Sequence, residues 1–271
     1  PPKGEGEPIK LHPYFCNVMS SQAFAMNLAG PFLKAPNKLT PVLQALAGDA
    51  LGAIDEVETV DIEVVGRSNY FNEPGSRGDR RSSPDIGVWW RAGEERGLLL
   101  IEVKYTEPGF GACSTAKEGH AVCYDSGADL LAGEGKQCPK KKEGRPYWRL
   151  LKEHKLFEED VLGQSPCCPF RYEAYQLMRY QLLAAVIEAD PQSPEQRVDL
   201  VSLCHPQNQS LRKLTVPIAG CDEVFELWPA VLKRKDRFHA WSARDWVFQA
   251  GKAPDLSDWA HWMTTRYFPE P

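Results

Sequence analysis

The sequence has no hydrophobic run approaching the roughly 20 apolar residues that a membrane-spanning helix needs. Its first residues, PPKGEGEPIK, lack the apolar core of a secretory signal. Internal repeats and low-complexity tracts are also missing. We therefore expect a cytoplasmic protein with no membrane partner.

An excess of positive charge is missing as well, since the formal net charge is −5. Phosphate binding, however, depends on a local basic patch rather than on the charge of the whole chain. Basic side chains are concentrated in two stretches: Arg77, Arg80 and Arg81, then Lys136, Lys140, Lys141, Lys142, Arg145, Arg149, Lys152 and Lys155. We take Arg80, Arg81, Lys140, Lys141 and Lys142 as candidate contacts to nucleic acid. The alternative is that both stretches are solvated charged faces.

The composition, with 42% hydrophobic and 25% charged residues, is that of a globular protein able to form a core. We expect one domain over residues 1–271, with a cysteine-rich insertion at 106–170 and a helical C-terminal extension at 221–271. Residue periodicity predicts helices and strands in alternation. The predicted helices begin near Ser20 and span Thr40–Leu51 and Tyr172–Glu188, and the strands span Val57–Val65, Asp85–Arg91, Leu98–Tyr105 and Val198–Cys204. This order predicts an α/β fold with a mixed central sheet flanked by helices.

Two carboxylates and an amine are expected to meet where the second and third strands lie side by side. Glu102 and Lys104 are two residues apart on a strand, so their side chains leave the same face. A hairpin turn at 92–96 would bring Asp85 beside Glu102. Adjacent carboxylates repel each other, and a hard divalent cation such as Mg²⁺ removes that conflict. The alternative is that Glu102 and Lys104 form an ion pair on an exposed face.

Pro84-Asp85 followed by Glu102-Val103-Lys104 resembles the signature of the PD-(D/E)XK nuclease superfamily. The resemblance implies a restriction-endonuclease-like fold in which Asp85 and Glu102, together with Val103, bind Mg²⁺ or Mn²⁺. It implies that Lys104 orients or helps to deprotonate the attacking water and steadies charge on the phosphate. Glu63, on the preceding strand, would add a third carboxylate, or would be an ordinary exposed strand residue.

A helix beyond the insertion carries Gln176 and Tyr180, which are four residues apart and hence on one face. This spacing resembles the Gln-x-x-x-Tyr motif of the RecB-like branch, in which the helix faces the active site. Arg179 would then be a further phosphate donor. The alternative is an amphipathic helix whose stripe serves the core. The first helix and the residues after Lys104 resemble a bacterial subfamily of restriction endonucleases.

Two histidines are further candidates for the site. His12 would parallel the upstream metal-binding histidine of RecB-like enzymes, although no flanking pattern supports this assignment. His205 follows a predicted strand, where a turn or capping role is the more ordinary interpretation.

Five of the eight cysteines lie in the polar segment 106–170. A long connection of this kind needs a stabilising element, and we predict that Cys113, Cys123, Cys138 and Cys168 bind Zn²⁺ or a [4Fe–4S] cluster. No Cys-x-x-Cys pair is present, so the usual zinc-finger pattern is missing. The resemblance to RecB-like nucleases with iron–sulfur clusters favours the cluster. Cys167 in place of Cys168 and ordinary buried thiols remain alternatives.

Taken together, the sequence predicts a metal-dependent nuclease that hydrolyses DNA phosphodiester bonds. The family resemblance implies a role in restriction or phage defence, either as a homodimer or with partner proteins of a defence system. The alternatives are an exonuclease of recombination or repair, and a nucleic-acid-binding module of the same fold without catalysis.

Overall fold

The structure, a computed structural model, describes residues 11, 19–74, 81–117, 123–133, 137–218 and 220–269. Within these ranges the strands are β1 (Glu56–Ile62), β2 (Ile86–Ala92), β3 (Glu95–Lys104), β4 (Arg197–Cys204), β5 (Lys213–Ile218), β6 (Cys221–Glu223) and β7 (Phe238–Ser242). The α-helices are α1 (Ser21–Ala29), α2 (Thr40–Ala47), α3 (Ser114–Lys117), α4 (Gly127–Leu131), α5 (Pro139–Lys142), α6 (Tyr147–Glu153), α7 (Glu159–Leu162), α8 (Tyr175–Ala189), α9 (Val224–Val231), α10 (Ala243–Ala250) and α11 (Ser257–Tyr267).

The central sheet has the strand order β1-β2-β3-β4-β7, and β5 pairs with β6 separately. The pairs β1/β2 and β2/β3 are antiparallel, whereas β3/β4 and β4/β7 are parallel. Helices cover both faces. The predicted mixed sheet flanked by helices is therefore confirmed.

The β2–β3 hairpin fixes the part of the sheet that carries the predicted site. Gly93 takes a φ of +59° in the turn, a conformation that glycine adopts without steric cost. The register pairs Ile86 with Ile101, which sets Asp85 opposite Glu102. β3 is buried from Gly97 to Lys104 because it lies in the middle of the sheet with helices on both faces.

Two hydrophobic clusters lie on opposite faces of the sheet. One joins the sheet to α8, α9 and the helices of the segment 106–170, and Trp148, Phe157 and Phe170 are buried in it. The other joins it to α1, α2, α10 and α11, around Phe24, Phe32 and Trp246. The described part of the segment 106–170 therefore packs on the main core, even though its helices have only four to seven residues.

Three elements differ from the sequence prediction. β1 ends at Ile62 and not at Val65, because the chain turns at Glu63, where φ is +53°. The segment from 221 onward is only partly helical: Trp241, assigned to a helix, lies in β7 at the edge of the sheet. α8 begins at Tyr175, three residues later than expected, since the preceding residues run alongside Phe110 and Cys113.

None of the helices in the described ranges is both long and apolar enough to cross a membrane.

Candidate active site

The structure brings Asp85, Glu102 and Lys104 into one small volume. One Asp85 side-chain oxygen, Oδ2, accepts the Val103 N–H at 2.8 Å. The Lys104 Nζ donates to Glu102 Oε1 at 2.7 Å. Glu102 is 3% exposed and Lys104 5% exposed, so the pair does not lie on a solvent-exposed face. Burying Glu102 and Lys104 beside the half-buried Asp85 is costly unless these groups are paired or bind a ligand.

The surroundings of this cluster disfavour the ionisation of Asp85 and Glu102. Burial raises the pKa of Asp85 well above its ordinary value, and the neighbouring Glu102 and Glu63 raise it further, while Lys104 and the Val103 N–H oppose the shift. Burial likewise raises the pKa of Glu102, against the opposing effect of Lys104. Without a further cation the cluster therefore favours a protonated carboxyl.

Lys104 remains a cation in this setting. Burial by itself would lower the pKa of its amine, but the Glu102, Glu107 and Asp85 carboxylates outweigh that effect and raise it. A raised pKa disfavours removal of the ammonium proton, which the role of general base requires. The raised pKa of Lys104 is thus more compatible with a retained positive charge than with acceptance of a proton.

Glu63 lies directly after β1 and close to Asp85. Its N–H donates to the Asp85 carbonyl at 2.8 Å, and its side chain accepts from Gln22 at 3.0 Å and from Ser83 at 3.1 Å. A positive φ in a residue other than glycine is uncommon and often marks a functional position. Gln22 and Ser83 were not identified from the sequence, because their contact with Glu63 depends on how α1 packs against the sheet.

Gln176 and Tyr180 connect α8 to the cluster. Gln176 accepts from Lys104 Nζ through Oε1 at 2.8 Å and donates to the Tyr180 hydroxyl through Nε2 at 3.1 Å. The Tyr180 hydroxyl in turn donates to the Ser83 carbonyl at 3.1 Å. This chain of hydrogen bonds fixes the position of the Lys104 ammonium. The four-residue spacing read from the sequence thus places both side chains where they act together.

Removal of the Tyr180 hydroxyl tests this chain. In Tyr180→Phe the buried Ser83 carbonyl loses its donor, so we expect the free energy of unfolding to fall by about 1–3 kcal/mol. Gln176 should still contact the Lys104 amine, so the arrangement around that amine should change much less than the stability. Urea unfolding followed by circular dichroism measures the first effect. Tyr124→Phe, at an exposed tyrosine, is the matched control, and equal stability of both variants would contradict the assignment.

Arg179 lies in a different network from the one expected for a phosphate donor. Its guanidinium pairs with the buried Glu73 at 2.8 Å and donates to Ser82 Oγ at 3.0 Å. Glu73 also accepts from the Tyr147 hydroxyl at 2.6 Å. These contacts join α8, α6 and the segment before β2. The guanidinium of Arg179 is therefore already engaged in an ion pair within the fold. Glu73 was not identified from the sequence, which gives no local signal for it.

The other nucleic-acid candidates lie at the surface or outside the described residues. Arg81 donates to the Ser68 carbonyl at 3.1 Å. Lys140, Lys141 and Lys142 form the short helix α5, in which Lys140 pairs with Glu143. Arg80 and His12 lie outside the residues that the structure describes. A role for these side chains in nucleic-acid binding remains a prediction.

His205 packs in the core beside β3 and not in the cluster. Its N–H donates to the Lys104 carbonyl at 2.8 Å, its ring stacks on Phe268, and Nε2 contacts the Tyr267 carbonyl at 2.7 Å. Burial lowers the pKa of the imidazole, and the Tyr267 carbonyl opposes that shift.

The lowered pKa of His205 makes the stability of the folded protein depend on pH. A histidine whose pKa is lower in the folded state favours folding above its ordinary pKa, and this contribution is lost as the pH falls through the lowered pKa. We therefore expect the wild-type midpoint of thermal unfolding to drop between about pH 7.5 and about pH 5 by more than that of His205→Gln. His261→Gln, at an exposed position of α11, should follow the wild type; parallel curves for all three proteins would contradict the expectation.

A cavity of about 410 Å³ lies at the carboxyl ends of β4 and β7. It adjoins the end of β3, because Lys104 and Cys204 are paired in register and Asn208 Nδ2 donates to the Glu107 carbonyl at 2.9 Å. The lining includes Phe225, Trp241, Glu223 and Glu226.

The donor set of the cluster fits a hard divalent cation. The Glu102 and Glu63 carboxylates lie close enough to Asp85 to raise its pKa, and Glu63 also raises the pKa of Glu102. Glu102 Oε2 is buried and has no hydrogen-bond partner within the described part of the chain. Carboxylate oxygens are the ligands that Mg²⁺ and Mn²⁺ prefer. Across the described ranges, no group of three or more His, Cys, Asp or Glu side chains is already arranged around a metal position, so ligation requires side-chain movement.

A central mixed sheet with an acidic and basic cluster at the β2–β3 hairpin is characteristic of restriction-endonuclease-like proteins. The chain belongs to the family of restriction endonucleases associating with ARP, whose model matches residues 3–268. No curated protein and no solved structure shows significant similarity to it. Family membership indicates a nuclease role in restriction.

Proposed function

We propose that the protein is a Mg²⁺- or Mn²⁺-dependent deoxyribonuclease of the PD-(D/E)XK type, acting in restriction or phage defence. The observation that carries the proposal is the cluster of the half-buried Asp85 with the buried Glu102 and Lys104, in which one Glu102 oxygen has no hydrogen-bond partner in the described part of the chain. A nuclease of this family acts on DNA, and the family description adds an association with ARP. The RecB-like assignment is supported by the contacts of Gln176 with Lys104 and Tyr180.

In this proposal Asp85, Glu102 and Val103 hold the cation, with Glu63 as a further carboxylate. When bound, the cation makes water a stronger nucleophile near neutral pH and neutralises charge on the scissile phosphate. Metal binding also resolves the repulsion among the carboxylates, since a protonated Asp85 would have to lose its proton to become a ligand.

Lys104 contributes positive charge beside the reacting phosphate. Gln176 and Glu102 hold its ammonium from two sides, so its position is set before DNA binds. Preorganised donors of this kind stabilise charge that develops in the transition state without reorganisation. The Tyr180 hydroxyl positions Gln176 and does not itself contact the substrate.

The proposal is tested by nicking of supercoiled plasmid DNA with Mg²⁺, with Mn²⁺ and with EDTA. We expect cleavage with either metal, none with EDTA and none for Asp85→Ala. Cleavage by the wild type in EDTA would overturn metal dependence. Plasmid that is shifted on a gel but not cut would identify a binding module without catalysis. Degradation of linear DNA without nicking of the supercoiled plasmid would identify an exonuclease.

A further inference from the structure

A second cavity, of about 210 Å³, lies where α6 ends, between the last turns of α8 and the start of β4. Its volume corresponds to about seven water molecules at about 30 Å³ each, which leaves room for a small organic molecule. Part of the wall is apolar and is formed by Leu156, Ala185, Ala189 and Val198.

The cavity lies at the opposite end of α8 and of the sheet from the candidate active site. Val198, in its wall, pairs with Leu98, six residues before Lys104 on β3, which at about 3.3 Å per residue is a separation of about 20 Å. Gln176, which contacts Lys104, and Glu188, which lines the cavity, lie about 18 Å apart along α8 at a rise of about 1.5 Å per residue. A ligand in the cavity would therefore not occupy the cluster.

Positive charge predominates in the lining of the cavity. Three cations, Lys155, Arg234 and Arg237, are accompanied by one carboxylate, that of Glu188. Burial lowers the pKa of His154, which also lines the cavity, so its imidazole is neutral at about pH 7. Three cations against one anion give the lining a formal charge of +2, which favours an anionic ligand.

The Glu188 carboxylate is engaged by contacts within the fold. Its Oε1 accepts from Arg234 Nη1 at 2.6 Å and from Arg237 Nη2 at 3.4 Å, and its Oε2 accepts the Val198 N–H at 2.9 Å. These contacts hold two guanidinium groups at the wall of the cavity. A guanidinium has five N–H donors, and the hydrogen bond to Glu188 uses only one of those of Arg234. Arg234 therefore keeps donors for a second oxyanion.

Arg237 has a buried donor without a hydrogen-bond acceptor. Its side chain is 12% exposed, and its Nε has no hydrogen-bond partner in the described part of the chain. The Asp236 carboxylate lies 3.7 Å from that nitrogen, which is beyond hydrogen-bond distance. The two terminal nitrogens donate to Glu188 and Asp199. A buried donor without an acceptor is costly, and an oxyanion in the cavity that Arg237 lines would supply one.

Lys155 reaches the cavity from a turn with an unusual backbone conformation. Its φ is +48°, in the left-handed region that residues other than glycine rarely adopt. Its N–H donates to the Lys152 carbonyl at 3.1 Å, which fixes the turn after α6. The side chain is exposed and forms no ion pair with a described residue. A strained backbone at an unpaired cation beside a cavity is typical of a binding position.

We propose that this cavity binds a phosphate ester, with the phosphate held by Lys155, Arg234 and Arg237 and the attached sugar packed against Ala189 and Val198. Guanidinium groups bind phosphate through paired N–H donors, and lysine adds a point charge. The apolar wall favours an ester over inorganic phosphate, because it removes the carbon atoms of a sugar from water. The ester is either a backbone phosphate of DNA or a free nucleotide. The proposal does not rest on the nuclease assignment, since binding at this cavity requires neither metal nor cleavage.

Isothermal titration calorimetry of the full chain in EDTA tests the site, with deoxyadenosine monophosphate as the probe. We expect a Kd of about 1 mM or lower. Lys155→Gln and Arg234→Gln should each weaken binding at least about tenfold, because each removes a charge-assisted hydrogen bond. Lys152→Gln, at an exposed lysine of α6 that does not line the cavity, is the matched control and should bind like the wild type.

Ala189→Leu distinguishes the cavity from the charge at its surface. Ala189 is exposed at the end of α8 and lines the cavity, so leucine would fill the space and leave every charge in place. The affinity for the probe should then fall by at least about tenfold as well. Circular dichroism verifies the fold of each variant. If Arg234→Gln unfolds because its contact with Glu188 is lost, Lys155→Gln and Ala189→Leu decide the result.

Fluorescence anisotropy of a short labelled DNA duplex in EDTA separates the two sources of the phosphate. Weaker duplex binding in Lys155→Gln and in Ala189→Leu identifies a DNA phosphate, whereas weaker binding of the mononucleotide alone identifies a free nucleotide. The proposal is overturned if the wild type binds neither probe, if Lys155→Gln binds both as the wild type does, or if Ala189→Leu leaves both affinities unchanged. Equal losses in Lys152→Gln and Lys155→Gln would also overturn it, because they would show binding by surface charge in general.

Discussion

Replacement of Lys104 by methionine is expected to slow DNA cleavage by about 10²–10⁴-fold. The ammonium is held by Glu102 at 2.7 Å and Gln176 at 2.8 Å, so its charge is fixed in place before substrate arrives. Methionine has a similar length and no charge, and the substitution therefore removes the electrostatic contribution while filling the same space. Asp85→Asn should reduce the rate at least as much, because it removes a metal ligand.

The initial rate of plasmid nicking is measured first with Mg²⁺ in excess and then at higher Mg²⁺ concentrations. The higher concentrations should partly restore the rate of Asp85→Asn but not that of Lys104→Met. Lys252→Met, at an exposed lysine after α10, is the matched control and should cleave like the wild type. A Lys104→Met enzyme within about threefold of the wild-type rate would remove Lys104 from the active site.

The second large expected effect is a lower free energy of unfolding in Lys104→Met. Lys104→Met leaves the Glu102 carboxylate buried without its partner, and breaking a buried pair in this way costs about 3–5 kcal/mol. Because the pKa of Glu102 is raised in the folded protein, its protonated form favours the fold at low pH, and that contribution is lost as the pH rises through the raised pKa. The deficit of Lys104→Met should therefore be larger at about pH 8 than at about pH 5.5.

A double-mutant cycle with Glu102→Gln isolates the pair. We expect Glu102→Gln/Lys104→Met to be more stable than Lys104→Met alone, since glutamine carries no charge to be desolvated. Urea unfolding without divalent metal gives the four free energies. Additive effects of the two substitutions would show that the amine and the carboxylate do not depend on each other.

Local signals in the sequence were sufficient to predict the β2–β3 hairpin that carries the candidate active site. The apolar run before Glu102 predicts a central strand, and Gly93 predicts the turn, so the meeting of Asp85 with Glu102 follows from strand periodicity. The four-residue spacing of Gln176 and Tyr180 also predicted correctly that their side chains lie on one face of the helix. These relations span few residues or depend only on the period of one element.

Contacts between distant segments could not be anticipated in the same way. Glu73 pairs with Arg179 across about a hundred residues of chain, and neither residue has a local pattern that marks the pairing. Trp241 was assigned to a helix because its spacing from neighbouring apolar residues fits one; pairing of β7 with β4 overrides that local preference. Glu63 was placed on a strand, whereas its left-handed φ turns the chain at that residue.

By itself, the sequence determined the α/β class, the strand–turn–strand unit and the identity of the two carboxylates and the lysine that share a face. Only the tertiary structure decided which neighbours hold them: Gln176 on Lys104, Gln22 and Ser83 on Glu63, and Glu73 on Arg179. The physical reason is that periodicity sets the direction of a side chain within its own element, whereas burial and partner choice depend on how separate elements pack.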